Sequence, residues 1–367
     1  MLYSEALAVD RHTATVGSRR DLRNRLMAGA VVAIAGVFVV YLLAVRTRWG
    51  QDYENAALVG AQHHVSGSWY ADADRWLNRL TAESFGVSLA VIAIVGLLRR
   101  RLLLALCGVL TAGGAVVAAR FLKGVLPSRP VFGTGAASGH PVHTVAANAA
   151  AATLHTLSAG VTGVTGVTGV ARATTTAAHA LATAHPGLAP DQTPNTLPSG
   201  HAAAAMGLFF GALIVVSRRW YVAVTLLALP GAAFAGVATI AADWHRVSDT
   251  VAADLLALAI GLLGLAAVAQ LGLVRPGPSP DSSTLGQRLL YAVLLSVATA
   301  ALAFGAAYFV RYHGAVSEAT RNDAAYWSAQ AFALGAAVAA AGAMLAVCRN
   351  LDSVGWRPPR GLTIQAP

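Results

Sequence analysis

Three short segments carry most of the side chains able to do chemistry. In KGVLPSRP, Lys123 and Arg129 are two cations with five residues between them, a pairing that could neutralise an anion. Pro198-Ser199-Gly200-His201 heads a long apolar run. Proline suits a first helical turn, serine caps it, and glycine lets an anion approach the unpaired N–H groups at the positive end of the helix dipole. His201, in that first turn, could protonate a departing oxygen as a general acid. In ADWHRVSDT, His245 and Asp249 stand four apart. At that spacing a carboxylate shares a helix face with the imidazole, fixes its tautomer and leaves the other ring nitrogen to attack.

The elements that must position these residues are membrane helices. The 367 residues are 56% hydrophobic and only 11% charged, with a mean hydropathy of +0.60, far from the composition of an average soluble domain. The net charge of +10 would suggest nucleic acid in a soluble chain. Here the arginines fall in clusters between apolar runs, which is a topological signature, and no nucleic-acid partner is expected. A bilayer core of about 30 Å asks for roughly 20 apolar residues per helix. Runs near that length are expected at Met27–Val45, Leu80–Leu98, Leu102–Leu122, Ser199–Ser217, Trp220–Ala242, Thr250–Val274, Leu289–Val310 and Ala324–Val347. The first lacks a small-residue cleavage site and reads as a retained anchor.

Arginine clusters set the direction. Arg19, Arg20, Arg23 and Arg25 precede the first run, Arg99 to Arg101 separate the second and third, Arg218 and Arg219 the fourth and fifth, and Arg349, Arg357 and Arg360 follow the last. The positive-inside rule puts these, and both termini, in the cytoplasm. The three chemical segments then all face outward.

The expected organisation is an all-α, polytopic membrane bundle. It comprises a cytoplasmic tail (1–26), a six-span core (27–274) with a long external loop (131–197), a cytoplasmic linker (275–288), a two-helix appendage (289–348) and a cytoplasmic tail (349–367). The loop is rich in Ala, Gly, Thr and His, includes the near-repeat VTGVTGVTGV and suggests a surface helix around Ala146–Leu157. Within it, SGHPVH (Ser138–His143) looks like the second segment, but Pro141 and the lack of a following apolar helix make it a decoy. Cys107 and Cys348 offer neither a disulfide framework nor metal-ligand spacing.

Singly, each segment has an ordinary explanation. Lys123 and Arg129, with Arg120 a turn earlier, fit cations snorkelling to headgroups. Ser199 fits a plain helix cap with an interfacial histidine, Asp249 fits another cap, and Arg246 fits either an interface anchor or a phosphate ligand. Chance explains less well why one such set stands at each outer helix end, all on one side. Ionisable groups in such places are functional candidates.

Taken in order, the segments resemble the type 2 phosphatidic acid phosphatase superfamily, which shares its fold with bacterial acid phosphatases and vanadium haloperoxidases. The family pattern is Lys, six residues, Arg-Pro; then Pro-Ser-Gly-His; then Ser-Arg, five residues, His, three residues, Asp. Pro198–His201 matches fully, and His245 with Asp249 matches the end of the third motif. The resemblance implies that Lys123, Arg129, Ser199 and Gly200 bind phosphate, His245 is a nucleophile that becomes a phosphohistidine, Asp249 orients it and His201 is the acid. It further implies that cations and helix N–H groups meet the transition-state charge without a metal or other cofactor.

Two departures stand out. The first motif is one residue short between Lys123 and Arg129, and the third-motif Ser-Arg falls on Ala238 and Thr239, neither a cation. Arg246 or Arg120 is the candidate replacement. The expected function is hydrolysis of a lipid phosphate or polyprenyl pyrophosphate at the extracytoplasmic face of the plasma membrane. The alternatives are a catalytically degenerate lipid-phosphate-binding or scaffolding protein, and a phosphoryl or headgroup transferase.

Overall fold

The computed structural model describes residues 2–64, 67–130, 192–193, 195–276, 284–349 and 351–353. The described chain is almost entirely helical. Helix α1 (Leu2–Val40) runs into a π-helical turn (Tyr41–Val45) and is followed by α2 (Arg48–His63), α3 (Ser68–Arg79), α4 (Ala82–Leu98) and α5 (Leu102–Val125). After the 131–191 segment come α6 (Gly200–Val215), a 3₁₀ turn (Arg218–Trp220), α7 (Tyr221–Ala241), α8 (Val247–Gln270), α9 (Leu285–Gly314) and α10 (Glu318–Cys348). Two short antiparallel pairings complete it: β1 (Arg129–Pro130) with β2 (Gln192–Thr193), and β3 (Val274–Pro276) with β4 (Leu351–Ser353).

Among the described residues, six helices are long and apolar enough to cross a membrane, and α3 with α4 forms a bent pair, 61° apart, that passes the same test jointly. The chain is a multi-pass, all-α membrane protein. Helix α6 is shorter. Its 16 residues cover about 24 Å at 1.5 Å per residue, less than a hydrocarbon core of about 30 Å. At least one of its ends therefore lies below headgroup level in a bilayer of ordinary thickness.

Each expected apolar run overlaps a helix, but hydropathy alone does not reveal α2 and α3. The polar sequence of α2 still repeats buried small or aromatic residues at Tyr53, Ala56, Ala57, Gly60 and Ala61, the helical period of one packed face. In α3, Ala73 and Leu77 are buried, and Trp69 and Trp76 pack edge-on against Phe234 of α7. The decoy at Ser138–His143, the glycine-threonine repeat and the surface helix expected near Ala146–Leu157 lie outside the described residues.

Helix α8 is the axis of the bundle, packed against α1, α5, α6 and α10. Ala252, Ala253, Ala257 and Ala259 are fully buried along it, so small side chains let four neighbours approach. The α5–α6 contact is closer still. A Cβ on Gly211 would lie 2.5 Å from the Gly108 carbonyl oxygen, and one on Gly108 would lie 2.8 Å from that of Gly211. Small residues at such seams let apolar helices associate through close backbone packing. This seam holds the end of α5 that carries Lys123 beside the start of α6.

The C-terminal pair, expected as a two-helix appendage (289–348), packs against the other helices of the bundle. Helix α10 packs against α2, α7 and α8 as well as α9, and its Tyr326, Met344 and Leu345 are fully buried. The Ser328 hydroxyl accepts from the Tyr53 hydroxyl at 2.9 Å and donates to the Gly305 carbonyl at 2.8 Å, linking α2, α9 and α10. Hydropathy measures how apolar a helix is, and not whether lipid or protein covers it.

The chemical residues lie at one end of this bundle and the arginine clusters at the other. At the latter end Arg19 lies against Gly272, Arg99 donates to the Val215 carbonyl at the close of α6, and Arg349 sits over the Tyr291 ring.

Candidate active site

The site forms where the ends of α5, α6 and α8 meet. Asn195 prepares the approach to α6: its side-chain amide donates to the Leu197 carbonyl at 3.0 Å and its oxygen accepts from Leu197 N–H at 3.2 Å. Ser199 then caps α6, its hydroxyl oxygen accepting from Ala202 N–H at 3.4 Å. Its own N–H donates to the Asp249 carbonyl at 2.8 Å, joining the start of α6 to the first turn of α8. At Gly200 a Cβ would meet nothing within 4 Å. Open space thus adjoins the first N–H groups of α6, where an anion is best received.

The α7–α8 connection aims His245. Helix α7 closes with Asp243 in the left-handed region, φ 58°, a conformation that commonly ends a helix and turns the chain away. The N–H groups of Trp244 and His245 then both donate to the Thr239 carbonyl, at 2.9 and 3.1 Å. Thr239 is buried, and its hydroxyl donates to the Gly236 carbonyl at 2.8 Å. The residue standing in place of the motif arginine therefore serves the backbone of the turn.

His245 Nδ1 lies 3.1 Å from Asp249 Oδ2, which also accepts from Arg246 N–H at 3.2 Å. Asp249 is fully buried. An acceptor at that position selects the tautomer protonated on Nδ1, leaving the Nε2 lone pair available. Burial pushes the His245 pKa below its ordinary value and Lys123 acts in the same direction, while the hydrogen bond that His245 donates to Asp249 opposes them. The shift favours the neutral form of the ring. His201 stands across the site with its ring centroid 5.4 Å from that of Trp244. Lys123, half-buried, is within electrostatic range of Asp249, His201 and His245.

Arg129 enters from β1 and is buried. Its Nη1 donates to Glu54 Oε2 at 2.7 Å, while Glu54 Oε1 accepts from Ser248 N–H at 3.0 Å. Glu54 is fully buried on α2 and clamps Arg129 to the first turn of α8. The loop before Arg129 is held as well: Tyr41 OH donates to the Pro127 carbonyl at 3.1 Å, and Gln51 Nε2 donates to the Pro130 carbonyl at 2.8 Å.

Arg246 points into the same region. Burial and Arg129 push its pKa down to about 10, against the opposing pull of Glu54, Asp249 and Asp243. Arg129 Nη2 and Arg246 Nη1 are both buried without a hydrogen-bond partner among the described residues. Unsatisfied buried guanidinium nitrogens are costly, and an oxyanion between them would satisfy both. Arg120 is exposed on α5, and its charge is felt at Lys123. Of the two candidate replacements, only Arg246 has a buried, unpaired N–H-bearing nitrogen.

The structure thus brings together Lys123, Arg129, Ser199, Gly200, His201, His245, Arg246 and Asp249. Sequence reasoning missed Glu54. Its signal lay in the helical period of α2, with one carboxylate set among small residues that face the protein. Among the described residues no group of three or more His, Cys, Asp or Glu side chains is arranged to hold a metal ion.

Compared with protein families, residues 102–272 match the PAP2 superfamily, a stretch that contains all three chemical segments together with α5 to α8. Comparisons with curated proteins and with solved structures give no match.

Proposed function

We propose that this membrane protein, a PAP2 superfamily member by residues 102–272, hydrolyses a lipid phosphate or lipid pyrophosphate through a phosphohistidine. One observation carries the reading: an imidazole oriented by a buried carboxylate, His245 Nδ1 to Asp249 Oδ2 at 3.1 Å, adjoins two guanidinium groups with unpaired buried nitrogens. The substrate phosphoryl oxygens are received by Lys123, Arg129, Arg246 and the first N–H groups of α6. His245 Nε2 attacks phosphorus, the bond to the leaving oxygen breaks, and His201 gives that oxygen its proton. Water, deprotonated by His201, then attacks phosphorus. The N–P bond breaks, inorganic phosphate leaves and His245 is restored. Cations fixed in advance stabilise the charge that develops on the equatorial oxygens.

The site faces the extracytoplasmic side of the plasma membrane, with both termini cytoplasmic. The supporting observation is that Arg99, Arg218, Arg219 and Arg349 gather at the opposite end, as the positive-inside rule requires of the cytoplasmic side. A short α6, at least one end of which lies below headgroup level, suits a headgroup whose tails remain in the bilayer.

A second reading has its own observation. Thr239 supplies no cation where the family pattern has arginine, and this favours a protein that binds a lipid phosphate or scaffolds others without turning it over. A transferase, in which an alcohol resolves the phosphohistidine, would use the same site. Phosphate release from dioleoyl phosphatidic acid and farnesyl pyrophosphate by purified protein in excess chelator separates these. Hydrolysis predicts metal-independent release that is lost in His245→Ala. Release that survives His245→Ala contradicts the mechanism, and binding without release from either lipid supports the second reading.

A further inference from the structure

A cavity of about 480 Å³ opens at the other end of α6, about 24 Å of helix away from Gly200. Its polar wall is made by Arg99, Ser217, Arg218 and Arg219, and its apolar wall includes Leu265 and Val268 of α8. Among the described residues that line it, none bears a carboxylate. Arg99 and Arg218 are half-buried and Arg219 is exposed. Burial, with like charge from Arg101 and Arg219, pushes the Arg99 guanidinium below its ordinary pKa. Arg99 donates to the Val215 carbonyl and so answers the negative end of the α6 dipole. The first turn of α7 begins at the same cavity, with Tyr221 in the wall and no side-chain cap on the helix.

Arginines that merely report topology would project separately into water. Here they converge on one half-open cavity with a greasy side, at the end of a helix too short to span the hydrocarbon core. Basic pockets between transmembrane helices are suited to phosphate headgroups, and guanidinium groups to phosphate oxygens.

We propose that this cavity is a second, non-catalytic binding site for a phosphate-bearing anion, filled by the headgroup of an anionic phospholipid from the leaflet opposite the active site. The headgroup phosphate lies among Arg99, Arg218 and Arg219, and an acyl chain runs along Leu265 and Val268. Nothing in the hydrolytic reading is needed for this site to bind.

Thermal unfolding of the full chain in dodecyl maltoside tests it, with dioleoyl phosphatidylglycerol, dioleoyl phosphatidylcholine or inorganic phosphate added. Phosphatidylglycerol should raise the melting temperature by on the order of 5 °C at saturation, and phosphatidylcholine should not. Arg219→Gln should lose at least half of that rise, and Arg246→Gln, altered only at the far end, should keep it. Arg99→Gln should lose it too. Because Arg99 also holds the Val215 carbonyl, the exposed Arg219 provides the variant least able to disturb folding. Stabilisation by inorganic phosphate as large as that by the lipid would support the phosphate site and overturn the lipid as its source. Equal stabilisation by the two lipids, a response intact in Arg219→Gln, or a response lost in Arg246→Gln alone would overturn the proposal.

Discussion

The two ends of α6 both gather guanidinium groups, yet they differ in what holds them. At the N-terminal end Arg129 is clamped by Glu54, the first turn of α8 is tied to the same carboxylate, and Asp249 orients His245. At the C-terminal end Arg99 rests on a backbone carbonyl and Arg219 stacks near Trp220, 5.9 Å from its ring centroid. Buried carboxylates fix cations and imidazole in place before a ligand arrives, which is what catalysis by electrostatic preorganisation demands. A site without them can bind an anion, and no imidazole or carboxylate is among the described residues that line the one at the C-terminal end. In the proposed reading, cationic charge makes both ends receptive to phosphate, and the carboxylates make one of them reactive.

The sharpest break in that comparison is Asp249→Asn. It presents an amide to His245, removes the preference for the Nδ1-protonated tautomer and should lower kcat by about 10³–10⁴-fold. The wild-type acid limb of kcat/KM should lie below the ordinary imidazole value of about 6.5, because burial lowers the His245 pKa and the neutral ring is the proposed nucleophile. Asp249 favours the charged ring, so its loss should move that limb to still lower pH. A pH profile with phosphatidic acid, corrected for ionisation of the substrate phosphate itself, reads both effects.

Arg246→Gln should follow, at about 10²–10³-fold in kcat/KM, the range for loss of one preorganised donor. Arg246→Lys should recover part of this by restoring charge without the guanidinium fork. Turnover unchanged in Arg246→Gln would return the missing third-motif cation to the list of open losses.

Glu54→Gln should act through Arg129, with a smaller loss in turnover of about 10–10²-fold. It should also destabilise the fold by about 3–5 kcal/mol, because a buried guanidinium loses its counter-charge. Unfolding in detergent and the KM for the lipid phosphate, measured together, separate the two effects. Arg120→Gln should be the mildest. An exposed charge contributes up to about 1 kcal/mol, so turnover should change by less than about fivefold.

Much of this arrangement was legible in the sequence because two of its signals are local. Apolar length marks the spans, and Pro198 to His201 and His245 with Asp249 state their chemistry within a few residues. The parts that were not legible depend on contacts between distant segments. Glu54 lies in a helix of low hydropathy, and its role appears only when α2 lies against α8 and β1. Arg246 could have faced lipid or site, and the left-handed turn at Asp243 decides between them. Helix α10 reads like any other apolar run, so its place inside the bundle depended on which neighbours would cover it. Thr239 marks a vacancy in the motif by its type, while its structural task needs the fold of the turn.

The central claim is that His245 becomes covalently phosphorylated. The most direct measurement is rapid acid-free quenching of purified protein after mixing with phosphatidic acid labelled with ³²P in the phosphate, followed by peptide mapping. The account predicts label that is stable in base, labile in acid, attached to the peptide containing His245 and absent from His245→Ala. Phosphate released at full rate with no protein-bound label formed at any time, or label on another residue, would contradict it.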